Sequence, residues 1–191
     1  MKSLKSAVIL CVLGIMFPLL SSAQSKVNVF LDYQYRLGLY EKLGEYSISR
    51  KESHLYGNAL HLSVLYNFTK QIAAGAGIGA DRYENPGYNT FPLFVSLHYS
   101  PLKHHINFYT YTNVGYALFG KQETYEGWVF DLGVGYKKMF RRHFGLNFQA
   151  GYNWKQFRDG GMYSVARADE VHYEKANSTR SSLSFGVGLI F

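Results

Sequence analysis

The stretch Val27-Asn28-Val29-Phe30-Leu31-Asp32-Tyr33-Gln34-Tyr35-Arg36-Leu37-Gly38-Leu39 decides the fold. Its odd positions are all Val, Leu or Tyr. Its even positions are Asn, Asp, Gln, Arg and Gly, with one Phe. A helix would bring apolar groups round every three or four residues, whereas a period of two puts them on one face of a strand. The same alternation returns along the chain. Leu60, Leu62 and Val64 alternate with Ala59, His61 and Ser63, and Ala74, Ala76 and Ile78 alternate with Gly75, Gly77 and Gly79. Further runs cover 91–100, 106–119, 128–136, 144–157 and 180–191, so eight strands are predicted.

The connections alternate as well. Those at 69–71, 101–105 and 137–143 are short, while 41–53, 84–90, 120–127 and 158–179 are mostly longer and more polar. This is the pattern of an up-and-down meander with one trimmed end and one decorated end. Eight antiparallel strands close into a barrel, which leaves no sheet edge exposed.

Composition narrows the class further. In 191 residues, aromatics are 17%, charged residues 17%, and Gly numbers 19. A disordered chain would be richer in charge and poorer in aromatics. A helical bundle would favour Leu, Ala, Glu and Lys over Tyr, Phe and Gly. Mean hydropathy is −0.15, and no run reaches the ~18 apolar residues of a spanning helix.

The first residues read as an address. Lys2 and Lys5 precede an apolar run from Ala7 to Leu20, followed by Ser21-Ser22-Ala23. This predicts a signal peptide over 1–23, cleaved after Ala23, and a barrel domain over 24–191. The single cysteine, Cys11, lies in the leader, so the mature chain is expected to have neither a disulfide nor a cysteine nucleophile.

Alternation alone does not say which face is inside. The polar face is Gly, Ser, Asn, Gln and Ala with few charges, which suits a crowded lumen better than a water-facing surface. The other face is Leu, Val, Ile, Phe, Tyr and Trp, the composition of a lipid face. Rings collect at strand ends. Tyr66, Phe68, Tyr99, Phe108, Tyr136, Phe144 and Phe191 fall at one rim, and Phe91, Tyr116, Trp128, Tyr152 and Trp154 near the other. The predicted fold is all-β, an eight-stranded antiparallel up-and-down transmembrane β-barrel.

With these strands and a last segment reading Phe185-Gly186-Val187-Gly188-Leu189-Ile190-Phe191, the chain resembles the small bacterial outer-membrane β-barrels of the OmpA/OmpX type. The resemblance implies a bacterial outer-membrane location. It also implies that the aromatic Phe191 serves as the assembly signal read by the barrel-assembly machinery. It does not select a function, because structural barrels, adhesins and lipid-modifying enzymes share this architecture.

The candidate chemistry is sparse. His61-Leu62-Ser63 and His98-Tyr99-Ser100 each put a His and a Ser on one strand face, as nucleophilic catalysis requires. They resemble the His-x-Ser of lipid A deacylases, but neither is followed by Asn and both are predicted to face the lumen, away from lipid. Polar lumen residues in a hydrogen-bond network are the preferred reading. Gly75-Ala76-Gly77-Ile78-Gly79 lacks the helix and Lys-Ser/Thr of a nucleotide loop. His104-His105 lacks a third metal ligand. The basic residues Lys137, Lys138, Arg141, Arg142 and His143 are expected in a turn facing phospholipid headgroups rather than nucleic acid.

Inward charges are expected at Asp32, Arg36, Asp81, Asp131 and Lys155, forming cross-lumen pairs or hydrated networks. A gated pore is the rival reading, but eight strands leave too narrow a lumen without rearrangement. The segment 158–179 is the expected loop for a surface ligand, with Met162, Tyr163, Val171 and Tyr173 among its charges. The sequence therefore predicts a monomeric, non-catalytic barrel with no cofactor, contacting outer-membrane lipid and working structurally or through its outer loops. A lipid-modifying enzyme is the alternative.

Overall fold

The computed structural model describes residues 26–44, 46–102, 105–118, 124–141, 144–167 and 170–191, with backbone alone for 141, 162–167 and 170–174. The predicted leader, Arg142, His143 and His104 lie outside the described residues. Strand β1 spans Val27–Leu43, β2 Tyr46–Ser49, β3 Tyr56–Asn67, β4 Ile72–Glu84, β5 Tyr88–Tyr99, β6 Phe108–Leu118, β7 Gly127–Arg141, β8 Phe144–Arg167 and β9 Glu170–Ile190. One helical turn, α1, spans Arg50–Ser53.

Eight strands, β1 and β3 to β9, pair in chain order and all antiparallel; β9 pairs back onto β1 and closes the barrel. The short β2 hangs on the C-terminal end of β1. Closure removes the free edges of the sheet, the condition for carrying β-structure through lipid. Phe191 completes the seam, since its N–H and C=O bond to Val29 at 2.9 Å each.

The faces separate cleanly. Ile78, Val95 and Leu132 lie in mid-strand on β4, β5 and β7, and are 57%, 63% and 51% exposed. The inward neighbours Asp81, Ser96 and Asp131 are buried. A water-soluble barrel would hide the first set and expose the second. This belt is a lipid-facing surface flanked by rings, with Tyr66 against Phe68 at 5.1 Å at one rim and Tyr116 against Trp128 at 5.4 Å at the other.

Three features differ from the sequence reading. First, β1 runs on to Leu43 through a bulge between Gly38 and Tyr40. A bulge adds one residue and exchanges the faces, so Glu41 turns inward and is buried. Second, β7 extends to Arg141, so Lys137 and Lys138 are strand residues rather than turn residues. Third, 158–179 is mainly a hairpin: β8 and β9 stay paired from Gly161↔Ala176 to Arg167↔Glu170. In the outer connection, Ser49 donates its backbone N–H and its hydroxyl to Glu52 at 2.7 and 2.8 Å, which holds that carboxyl below its usual 4.5.

Candidate functional site

The lumen holds the polar chemistry of the chain. At mid-height, β1, β3 and β4 bring Arg36, His61 and Asp81 together. Arg36 Nη1 donates to Asp81 Oδ2 at 2.9 Å, and His61 Nε2 lies 2.8 Å from Asp81 Oδ1. All three are buried. A charge taken out of water needs both an opposite charge and hydrogen bonds. Asp81 finds both here.

The network continues across the barrel. Arg36 Nη1 also donates to the Tyr83 hydroxyl, and that hydroxyl donates to Asn153 Oδ1 at 3.2 Å. Asn153 Nδ2 donates to Asp131 Oδ1 at 2.6 Å, and Asn113 Nδ2 donates to Asp131 Oδ2 at 3.4 Å. The path therefore runs from β3, β4 and β1 to β8, β7 and β6. Lys155 ends on a backbone carbonyl, that of Gly127 at 3.3 Å. Gly127 opens β7 at φ 145, a conformation that favours glycine.

A second layer caps the end opposite the short turns. Arg180 donates through Nε to Glu41 Oε2 at 2.7 Å, and through Nη1 and Nη2 to the carbonyls of Glu84 and Asn85 at 2.8 and 3.1 Å. Ser178 Oγ donates to Glu41 Oε1, and Tyr88 Oη lies 3.1 Å from the same oxygen. The guanidinium stands 5.7 Å from the Tyr83 and Tyr88 ring centres and 6.0 Å from that of Phe157. Cation and aromatic rings thus close the barrel above the mid-height network.

A third layer lies toward the short turns. Asn147 Nδ2 donates to Asp32 Oδ1 at 2.7 Å, Tyr109 Oη donates to Asn147 Oδ1 at 2.6 Å, and Gln34 Nε2 donates to Gln149 Oε1 at 3.1 Å. His98 stacks on Tyr109 at 4.5 Å and meets Phe30 edge-on at 5.3 Å. Glycines make room for these rings. A Cβ on Gly135 would lie 2.6 Å from Tyr109 Cε1, and one on Gly77 would lie 2.6 Å from Phe94 Cε2.

The five charges expected in the lumen are all buried, but they pair differently from one another. Arg36 takes Asp81, whereas Asp32 and Asp131 are held by asparagine amides. Sequence reading missed Glu41, Tyr83, Tyr88, Lys137 and Arg180. Lys137 was expected in a turn; instead its ammonium stands over the Phe30 and Tyr109 rings at 5.2 and 4.7 Å. His61 and His98 both face the lumen. Ser100 Oγ donates to the Ile106 carbonyl at 3.0 Å, and His61 Nε2 is taken up by Asp81. Among the described residues, no group of three His, Cys, Asp or Glu could hold a metal. Met162, Tyr163, Val171 and Tyr173 fall on the hairpin strands, where the backbone alone is described.

No protein-family model matches the chain, and no curated protein matches it. Among solved structures, it is similar to the outer membrane protein AlkL in DMPC bilayers, with a TM-score of 0.50 and 16% identity over 88% of this chain and 90% of that one. OprG from Pseudomonas aeruginosa gives a TM-score of 0.42 and 13% identity over 88% and 97%. Neisserial surface protein A gives 0.42 and 14% over 84% and 96%. The chain is a closed eight-stranded antiparallel barrel of the bacterial outer-membrane kind, and its lipid-facing belt is the surface such a location requires.

Proposed function

We propose that this barrel is a non-catalytic surface protein, monomeric in the outer membrane, which acts as a structural element or through recognition by its outer hairpin. The observation that carries the reading is the bridged lumen. Polar side chains join opposite walls at mid-height, and Arg180 with three rings caps them. With the short turns toward the periplasm, the free-standing hairpin from Gly161 to Ala176 stands at the cell surface. A two-stranded ribbon is marginally stable alone, and its ladder groups are open to a partner. The belt meets outer-membrane lipid, and the β9 segment ending at Phe191 meets the barrel-assembly machinery.

The test is deletion of residues 162–174 with a short turn in their place. Insertion and heat-modifiable migration are expected to persist, because the deleted residues lie beyond the closed ladder. Surface partners captured by proximity labelling from the hairpin are expected to vanish. An unchanged set of partners would overturn recognition through this element.

A further inference from the structure

At the short-turn end the barrel opens into a cavity of about 410 Å³, within the ~300–1,000 Å³ typical of small-molecule sites. Ala73 and Ile190 line it and pack with Phe30 and Leu65 in a buried apolar cluster. Three lysines line it, Lys26, Lys70 and Lys137, from β1's start, the β3–β4 turn and β7. Among the described residues, no carboxylate lines it. Lys26 and Lys137 rest near aromatic faces, at 6.0 Å from Tyr66 and 4.7 Å from Tyr109, and among the described residues no acid forms an ion pair with either amine. Asp32 acts on Lys137 electrostatically, and Asp32 is itself tied to Asn147.

Two further observations give the cavity a polarity. His98 forms part of its wall, and its Nδ1 is buried without a hydrogen-bond partner. Buried polar atoms are normally satisfied, so an orphaned one beside a cavity marks an incomplete site. Among polar turn residues such as Asn67, Gln71 and Asn107, four apolar side chains also line the cavity and stay open to lipid: Phe68, Ile72, Ile106 and Met139 are 65%, 40%, 45% and 39% exposed. Cationic walls and apolar side chains open to lipid suit one kind of ligand, an anionic head with a hydrocarbon tail.

We propose that this mouth is a binding site for an anionic lipid headgroup, one whose phosphate charge is not offset by a choline or amine. The phosphate sits among Lys26, Lys70 and Lys137, and the acyl chains lie over Phe68, Ile72, Ile106 and Met139. The proposal goes beyond the surface role above and needs only the membrane barrel itself, so hairpin deletion does not test it. Its consequence is an anchor that fixes the barrel's height against the inner leaflet.

Native mass spectrometry of the folded protein from detergent tests it, with phosphatidylglycerol and phosphatidylcholine of identical chains as probes. The wild type is expected to retain phosphatidylglycerol at least about tenfold better, since three lysines each favour the anionic lipid. The variant Lys26→Gln/Lys70→Gln/Lys137→Gln is expected to lose that preference, and the Lys→Arg counterpart to keep it. Because Lys137 is partly buried, Lys26→Gln/Lys70→Gln is the second variant; it alone is expected to lower the preference severalfold while heat-modifiable migration stays normal. Titration with phosphatidylglycerol is also expected to shift the His98 imidazole resonances. Equal retention of the two lipids, an unchanged preference in the Gln variants or unmoved His98 resonances would each overturn the site. Displacement of the lipid by equimolar inorganic phosphate would overturn the lipid assignment.

Discussion

Tyr83 on β4 and Asn153 on β8 stand on opposite walls of the barrel, four strands apart in either direction, and meet across the lumen at 3.2 Å. Their contact links Arg36 and Asp81 on one side to Asp131 and Asn113 on the other. In a barrel of eight strands such a link leaves no open axis at that height.

The Arg36–Asp81 pair is the first point at which this can be tried. Arg36→Ala leaves a buried carboxylate with His61 as its remaining partner. The expected loss is about 3–5 kcal/mol of folding stability, read by urea titration in lipid vesicles. Adding Asp81→Asn is expected to recover part of it, because the stranded charge disappears. A loss near zero for Arg36→Ala would mean that water, not Arg36, solvates Asp81.

Ring packing offers a test that involves no charge. Gly135→Val would drive side-chain carbons into the Tyr109 ring, which is buried and bonded to Asn147. Over-packing of this kind costs about 1–3 kcal/mol. Heat-modifiable migration should begin to fail at lower urea than in the wild type. The companion Tyr109→Phe/Gly135→Val is expected to recover only part of the loss, since a Cβ at 135 meets the Tyr109 hydroxyl at 2.5 Å but also the ring carbon Cε1 at 2.6 Å.

The two His-x-Ser pairs separate a structural barrel from an enzyme. His61 is engaged by Asp81, and His98 is stacked on Tyr109, both on the lumen side. Cells carrying His61→Gln/His98→Gln should make lipid A with the same acyl chains as cells with the wild-type protein. Mass spectrometry reads this directly, and one acyl chain gained or lost would make the barrel an enzyme.

The fold was legible because period-two alternation holds in all eight strands and needs no knowledge of distant contacts. The lumen was legible only in part. Asp32, Arg36, Asp81, Asp131 and Lys155 stand in register with small polar neighbours, so their inward direction follows from parity. Glu41 could not be read that way, because the bulge at Gly38 and Tyr40 shifts parity just before it. Tyr83, Tyr88 and Phe157 were hidden for another reason. An aromatic residue near a strand end reads as lipid-facing, yet these three pack inward around Arg180. The hairpin was read as a loop because its sequence lacks strict alternation, and two strands paired only to each other have no buried face to impose one. Arg180 shares parity with Ser182 and Ser184, so its inward direction was legible, but its partner Glu41 is 139 residues away and beyond the bulge.

The most direct test of the closed lumen is conductance of the purified, folded wild type in a planar bilayer. The bridged network and the Arg180 cap lead us to expect no stable single-channel steps across ordinary applied voltages. Rare, brief flickers would fit local breathing of the outer layer. Long-lived, uniform open steps carried by the unmodified protein would contradict the account, because a conducting path cannot coexist with Tyr83 joined to Asn153 across the barrel.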